Sequence, residues 1–116
     1  AVIFIPKSRK RGNINKLKAS SDVFDKAWNL AKKSDYWNAM ILNGLTTSTI
    51  LSSEPKIIPK LLENGALGAS VSGNGPSIAA IVKNNAVSKI KNVFSSLDGK
   101  ITVAEINNKK AEVHEL

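Results

Sequence analysis

The sequence predicts a single α+β domain in which a first strand is followed by helices, two strands, another helix and a last strand. Three observations support this class. Short runs rich in β-branched residues are bounded by Pro or Gly. The segments between them repeat apolar residues every three or four positions, as amphipathic helices do. The chain has 116 residues, enough for one domain that buries a core without disulfides.

The first strand is predicted over residues 2–5, where Pro6 ends it. The polar segment 7–18 follows, contains Gly12, and is predicted to be a mobile loop.

Two helices are predicted next. Ser20 or Ser21 is a suitable cap for the first helix, and the second is expected to start near Asp35. Gly44 interrupts the second pattern at a cost of about 1 kcal/mol relative to Ala, which suggests that another backbone passes close by. The stripes predicted to pack in the core are Phe24, Ala27, Trp28 and Ala31, then Trp37, Met40, Ile41, Leu45 and Ser48.

A third helix is predicted within residues 53–65, with Ser53 as its cap and Gly65 as its left-handed stop. Pro59 is expected to kink this helix or to mark its true start. The predicted buried face consists of Ile57, Ile58, Leu61 and Leu62.

Residues 66–72 alternate as a strand whose two faces differ in size. Leu67, Ala69 and Val71 are predicted on one face, and Ala66, Gly68, Ser70 and Ser72 on the other. A face of such small residues lets a neighbouring element approach closely.

The remaining elements are a strand, a helix and one or two further strands. The strand is predicted over 77–82, and the helix follows with Asn84 or Asn85 as its cap. Strands are expected over 100–106 and 111–113. The complete order is that of a split β-α-β, ferredoxin-like sandwich with extra helices in its first crossover.

Charge and composition limit the possible sites. The net charge is +8, and residues 1–18 carry six basic and no acidic side chains, which leaves the rest of the chain near neutral. Such a basic segment attracts phosphates. The absence of cysteine and the single His114 exclude disulfides, thiolate metal sites and histidine clusters. No apolar run approaches the roughly 20 residues of a membrane span, and no secretory signal is visible, so we expect a cytoplasmic protein.

Four of the seven glycines lie in residues 65–77, GALGASVSGNGPS. Asn74-Gly75 is a favoured hairpin pair, so this segment is predicted either as a tight turn or as an anion-binding loop. Gly73 and Gly75 flank Asn74, which lets successive amides face one side, and Pro76 fixes the loop exit. Ser72 and Ser77 add hydroxyl groups. The Walker pattern GxxxxGK[ST] is absent.

The stretch ENGALGASVSGNGPSIAAIV resembles the third motif of the GHMP kinases, and the region NAMILNGLTTSTILSSEPKIIPKLLENGALGASVSGNGPS is most similar to their archaeal shikimate kinase branch. The pattern G-A-x-G-x-x-x-S-G-x-G-P is matched by Gly65, Ala66, Gly68, Ser72, Gly73, Gly75 and Pro76. The resemblance covers nearly the whole chain and implies that residues 1–116 are a GHMP kinase C-terminal domain. Since the chain begins with an apparent first strand, we expect a fragment that lacks the N-terminal ATP-binding domain.

The resemblance implies a function in aromatic amino acid (chorismate) biosynthesis. Mg-ATP, bound mainly by the missing N-terminal domain, would be the donor, and shikimate the acceptor. No catalytic residue or metal ligand is expected in this chain, which alone should be inactive. The resemblance places the phosphate and substrate-cleft loop at Gly68, Ser70, Ser72, Gly73, Asn74, Gly75, Pro76 and Ser77.

Two alternatives remain open at this stage. Another GHMP kinase, such as a homoserine kinase, would differ in its acceptor pocket. Shikimate brings a carboxylate for which Arg9, Lys10 or Arg11 are candidate partners, although a solvent-facing position is favoured for all three. An RNA-binding ferredoxin-like module would need exposed aromatics on the sheet, whereas only Phe4 falls on a predicted strand. His114 is interpreted as a surface residue.

Overall fold

The computed structural model describes residues 1–8, 12–51, 54–73 and 75–115. This part of the chain folds into a four-stranded antiparallel sheet with five α-helices and a short 3-10 helix at Asn84–Ala86. The elements are β1 Val2–Pro6, α1 Ile14–Ala19, α2 Ser21–Lys32, α3 Tyr36–Leu51, α4 Ile57–Glu63, β2 Ala66–Val71, β3 Ile78–Val82, α5 Val87–Ser95 and β4 Gly99–Val103. The predicted α+β class is confirmed.

The strands lie in the order β2-β3-β1-β4, so β2 and β4 form the two edges of the sheet. β1 is central and antiparallel to both neighbours, with Val2 opposite Ala80 on β3 and opposite Val103 on β4. The outer strand β2 pairs with β3 from Ala66 to Val71.

One face of the sheet carries the core, which α4 and α5 cover. Phe4 of β1 and Phe94 of α5 stack with their ring centroids 5.2 Å apart, and both rings are buried. Burial of each large apolar side chain contributes about 1.5–3 kcal/mol. The buried cluster consists of Val2, Phe4, Ile57, Ile58, Leu61, Ala69, Ile78, Ala80, Ile90 and Phe94.

Helix α3 lies directly against the edge strand β2. A Cβ atom added at Gly44 would collide with the carbonyl oxygen of Ala69 and lie 2.9 Å from the Cα atom of Ser70. One at Gly68 would lie 3.1 Å from the Met40 sulfur. Two expectations are therefore confirmed: another backbone passes Gly44, and the small face of β2 admits a close neighbour.

The prediction that the large side chains of α2 and α3 are buried is wrong in part. Trp28 is 64% exposed, Trp37 44% and Leu45 39%. The buried residues of α3 are mostly small: Ala39, Gly44, Thr47, Ser48 and Leu51. Because α3 lies against the β2 backbone, only small residues fit at the contact, and the larger side chains are directed away from it.

The polar segment after β1 is not entirely a loop, because α1 occupies Ile14–Ala19. Asn13 caps this helix, and its side-chain oxygen accepts a hydrogen bond from the Asn15 amide at 2.9 Å. Lys16 and Lys18 lie in the last turn, where the helix dipole favours positive charge.

Strand β2 contains a bulge that the alternating pattern did not predict. Ala66 pairs with Val82, whereas Gly68 pairs with Ile81, so Leu67 is an extra residue. Ala66 consequently packs against the core cluster instead of sharing the face of Gly68.

Several predicted ends and caps also differ. The N-cap of α5 is Ala86, without a side-chain cap hydrogen bond, because the 3-10 helix already uses Asn84 and Asn85. β4 ends at Val103, and the strand expected over 111–113 is absent from the described segment 104–115. Gly65 does adopt a positive φ of 97° after α4. Ser53 lies outside the described residues.

We expect Gly44→Ala to destabilise the protein by at least about 2 kcal/mol, because the methyl group would collide with the β2 backbone and push α3 away. This loss should exceed the roughly 1 kcal/mol that Ala gains over Gly in a helix. Urea unfolding measures the difference. Thr49→Ala, at an exposed position of the same helix, is the control and should change stability by about 0.5 kcal/mol or less.

Candidate functional site

The glycine-rich segment forms the connection between β2 and β3. The Ser72 amide donates a hydrogen bond to the Ser77 carbonyl at 2.7 Å, and the Gly75 amide donates to the Ser72 carbonyl at 3.2 Å. Gly73 has a φ of 57°, in the left-handed region that favours glycine. The predicted hairpin is confirmed. In this conformation the Gly75 amide is used inside the turn, so it is not directed at a ligand.

The predicted site residues fall into two groups. Ser72, Gly73, Gly75, Pro76 and Ser77 lie in the loop, where Ser72 and Gly73 are exposed. Asn74 lies outside the described residues.

Gly68 and Ser70 lie instead in β2, where α3 covers them. Ser70 is only 6% exposed, and its hydroxyl oxygen accepts a hydrogen bond from the Asn43 amide nitrogen at 2.8 Å. This bond joins α3 to the strand two residues before the loop begins. Sequence reasoning missed Asn43, because its partner is 27 positions away.

A cavity of about 180 Å³ lies beside the loop. It is formed where β1 ends, β3 begins and α5 leads into β4. Its lining residues are Phe4, Pro6, Ser8, Glu54, Pro76, Ile78, Leu97 and Asp98. Glu54 and Asp98 line this cavity from distant parts of the chain, so no local pattern indicates them.

Basic residues are placed at the same end of the domain. Lys7 follows β1 and its ammonium group lies 3.7 Å from the exposed Asp98 carboxylate, a pair that solvent screens. Ser8, at the cavity, directly precedes Arg9, Lys10 and Arg11, which lie outside the described residues. Within the described ranges, no group of three or more histidine or carboxylate side chains is positioned to hold a metal ion.

A second depression, of about 320 Å³, lies between α2 and α3. Its floor is polar, since it contains Asn43 and Ser70, and its walls are apolar or aromatic. The wall residues are Phe24, Ala27, Trp28, Ala31, Ala39 and Met40. We call this depression the α2–α3 groove.

The strands carry no exposed aromatic platform for stacking bases in the described part of the sheet. Phe4, the aromatic residue of β1, is 2% exposed and is covered by Phe94. The other aromatic side chains lie on α2, α3 and α5. This arrangement argues against RNA recognition on the sheet.

A family model described as GHMP kinases C terminal matches residues 52–98. This segment is therefore similar to the C-terminal part of GHMP kinases. It spans α4, β2, the glycine-rich loop, β3 and α5, and the predicted resemblance to GHMP kinases is thereby confirmed.

Curated relatives extend the similarity beyond the GHMP segment. The chain is 35% identical over 97% of its length to a protein of Methanothrix thermoacetophila named Shikimate kinase, of which it covers 40%. A Shikimate kinase of Methanosarcina acetivorans is 36% identical over 85% of the chain and 34% of the relative. One of Pyrococcus furiosus is 46% identical over 49% of the chain and 20% of the relative.

The chain therefore spans two fifths or less of these relatives. No solved structure matches it. Among the described residues, no helix is long and apolar enough to cross a membrane.

We expect Asn43→Ala to destabilise the protein by about 1–2 kcal/mol, because it removes the hydrogen-bond donor to the buried Ser70 hydroxyl and leaves that group only its own bond to the Val71 carbonyl. Asn38→Ala is a matched control, since Asn38 lies on the same helix and bonds the Asp35 carboxylate at an exposed site. The control should cost about 0.5 kcal/mol or less. Equal losses in urea unfolding of the two variants would contradict a special role for the Asn43 bond.

We expect Gly73→Ala to cost about 1–2 kcal/mol, because an L-residue is strained at positive φ although its methyl group would have no neighbour within 4 Å. Gly73→Asn should lose less, since Asn tolerates this conformation better. Gly75→Ala is the control: Gly75 does not have positive φ, and its added Cβ atom would lie 3.6 Å from the Ser72 carbonyl oxygen. Thermal unfolding should rank the losses Gly73→Ala, Gly73→Asn, Gly75→Ala.

Proposed function

We propose that this chain is the C-terminal domain of a shikimate kinase, which transfers the γ-phosphoryl group of ATP to a shikimate hydroxyl in aromatic amino acid biosynthesis. The observation that carries the proposal is the 35% identity over 97% of the chain to a protein named Shikimate kinase. The glycine-rich pattern from Gly65 to Pro76, inside the GHMP segment, supports it independently.

We further propose that the domain has a ferredoxin-like fold with extra helices in its first crossover, which contains α1 to α4 instead of a single helix. The antiparallel order β2-β3-β1-β4 supports this assignment, because it is the order that a split β-α-β unit produces. The remaining part of the protein would be an N-terminal ATP-binding domain. In keeping with a cysteine-free chain, we place the protein in the cytoplasm.

Phosphoryl transfer requires mainly positioning and stabilisation of charge. The acceptor oxygen attacks the γ-phosphorus, its proton is lost, and ADP leaves. ATP supplies the phosphoryl group and Mg²⁺ neutralises its charge when they are bound. We assign both mainly to the N-terminal domain, as the similarity to GHMP kinases implies.

The role of this chain is to form one wall of the cleft between the two domains. Gly73 is exposed and has no side chain, so a nucleotide loop can approach its backbone closely. Ser72 and Ser77 flank the turn and are joined by a backbone hydrogen bond, and Pro76 borders the adjoining cavity. Gly68 and Ser70 lie outside the loop. They hold β2 against α3, and β2 leads into the loop. We include Asn74 and Gly75, the other turn residues, in the cleft wall.

The acceptor carboxylate requires a cationic partner, and the segment after β1 is the best source in this chain. Lys7 and Ser8 lie at the loop end of the sheet, and Arg9, Lys10 and Arg11 follow them directly. An arginine in this segment would bind a carboxylate through two parallel hydrogen bonds.

Purified full-length protein tests the proposal. With Mg-ATP we expect turnover of shikimate at least about a hundredfold more efficient in kcat/KM than that of homoserine, because the buried partners of the acceptor remain unpaired with the wrong substrate. The 116-residue chain alone should be inactive, since it spans only part of the enzyme. Coupled ADP release and mass detection of the product measure both.

The control for this assay is His114→Ala in the full-length protein, which should leave turnover within a few-fold of wild type. His114 is 82% exposed and lies 3.7 Å from Glu112, remote from the glycine-rich loop in sequence. Efficient phosphorylation of homoserine without shikimate turnover would assign the chain to a different GHMP kinase. Turnover by the 116-residue chain alone would overturn the two-domain assignment.

A further inference from the structure

The amphipathic aromatic side chains of this domain are not in its core. The chain contains two tryptophans and one tyrosine. Trp28 is 64% exposed, Tyr36 59% and Trp37 44%, and all three lie within ten positions on α2 and α3. Large aromatic groups of this kind bury much area at a low entropic cost, and they dominate the energetics of protein interfaces.

Of these three aromatics, Trp28 lines the α2–α3 groove, and Tyr36 lies on the same face of α3 as two of its lining residues. On α3, Tyr36, Met40 and Asn43 are four and three positions apart and therefore form one stripe. Phe24 and Trp28, four positions apart on α2, face this stripe, and both line the groove with Met40.

The groove has the composition of an interface core. Its lining residues include aromatic, aliphatic, thioether, amide and hydroxyl side chains but no ionisable one. Depletion of charge at the centre, with aromatic residues and Met enriched, distinguishes interface cores from ordinary protein surface. An exposed patch of this kind on a soluble domain indicates a partner.

We propose that the α2–α3 groove is the docking surface for the part of the same polypeptide that precedes this domain, the N-terminal kinase domain of the proposed function, on which this inference rests. The length of chain outside the structure supports that occupant, since residues 1–116 cover only 40% of the Methanothrix relative.

Continuity with the candidate site supports the same occupant. Ser70 forms the floor of the groove and lies two residues before the glycine-rich loop. A domain that brings a nucleotide to the loop would thus also reach α3, which runs along β2. Docking on Trp28 and Met40 would hold the two halves of the cleft in fixed relation.

Hydroxyl-radical footprinting of the wild-type full-length protein tests this surface without any variant. We expect Trp28 to be oxidised at least about fivefold more slowly in the native protein than in the urea-unfolded chain, because a central interface anchor is shielded from solvent. Oxidation within about twofold of the unfolded rate, as expected for a side chain that stays 64% exposed, would overturn the proposal.

Dilution distinguishes an N-terminal domain of the same polypeptide from a second copy of the protein as the occupant of the groove. Protection by the same polypeptide is independent of protein concentration, and the protein mass stays that of one chain. Protection that disappears on dilution, as a dimer dissociates to monomers, would assign the groove to a second copy and overturn the proposal.

A substitution provides the second test. Trp28→Glu in the full-length protein should separate the two domains, raise the radius of gyration in small-angle scattering and lower kcat/KM at least about tenfold. Ile106→Glu is the matched control: Ile106 is 56% exposed in the irregular segment after β4, at the opposite edge of the sheet, and its variant should match wild type. An unchanged scattering profile for Trp28→Glu contradicts the proposal.

The two proposals can fail separately. Footprinting and scattering require no substrate, so a protected Trp28 in a protein without shikimate turnover would retain the docking surface and reject the function. Shikimate turnover with a freely oxidised Trp28 would retain the function and reject the docking surface.

Discussion

The contact between the backbone of α3 at Gly44 and the backbone of β2 at Ala69 and Ser70 determines the rest of the arrangement. β2 is an edge strand, and an uncovered edge offers unpaired backbone groups to other chains. Helix α3 packs so closely against β2 that only glycine fits at position 44. The Asn43–Ser70 hydrogen bond then fixes the helix along the strand. The positions of α3 and β2 therefore determine where the glycine-rich loop lies.

The same contact explains why the aromatic residues of the helices face outward. A helix that presents Gly44, Thr47 and Ser48 to its neighbour must direct its bulkier residues elsewhere. The core of the domain is consequently made by α4 and α5 on the sheet, while α2 and α3 provide a surface. The buried cluster lies on the α4 and α5 side, whereas α3 contributes to stability through its close contact with β2 and leaves its large aromatic residues exposed.

Sequence reasoning succeeded where a local rule had a single physical cause. Gly44 inside a helical pattern indicated a close backbone, and the small face of β2 indicated a close neighbour; both are the two sides of one contact. The hairpin between β2 and β3 followed from the glycine-rich turn chemistry, with Gly73 in the left-handed region. Reasoning failed where partners are distant in sequence. Helical spacing identified Trp28 and Trp37 as members of a stripe, but which stripe is buried depends on where α3 packs. Asn43, Glu54 and Asp98 reach the site region through tertiary structure alone. The bulge at Leu67 left no signal in a strictly alternating pattern.

The bulge at Leu67 divides β2 into two parts whose positions are determined by different neighbouring elements. The residues before Leu67 follow the exit of α4 through the left-handed Gly65, whereas those after it are held by α3. The extra residue is taken up at the junction, so its effect does not extend along the strand to Ser72. The length of the connection between α4 and β2 therefore does not determine where the glycine-rich loop lies. A change of one residue in the connection from α4 should therefore alter the bulge and leave the pairing of Ala69 to Val71 with β3 unchanged.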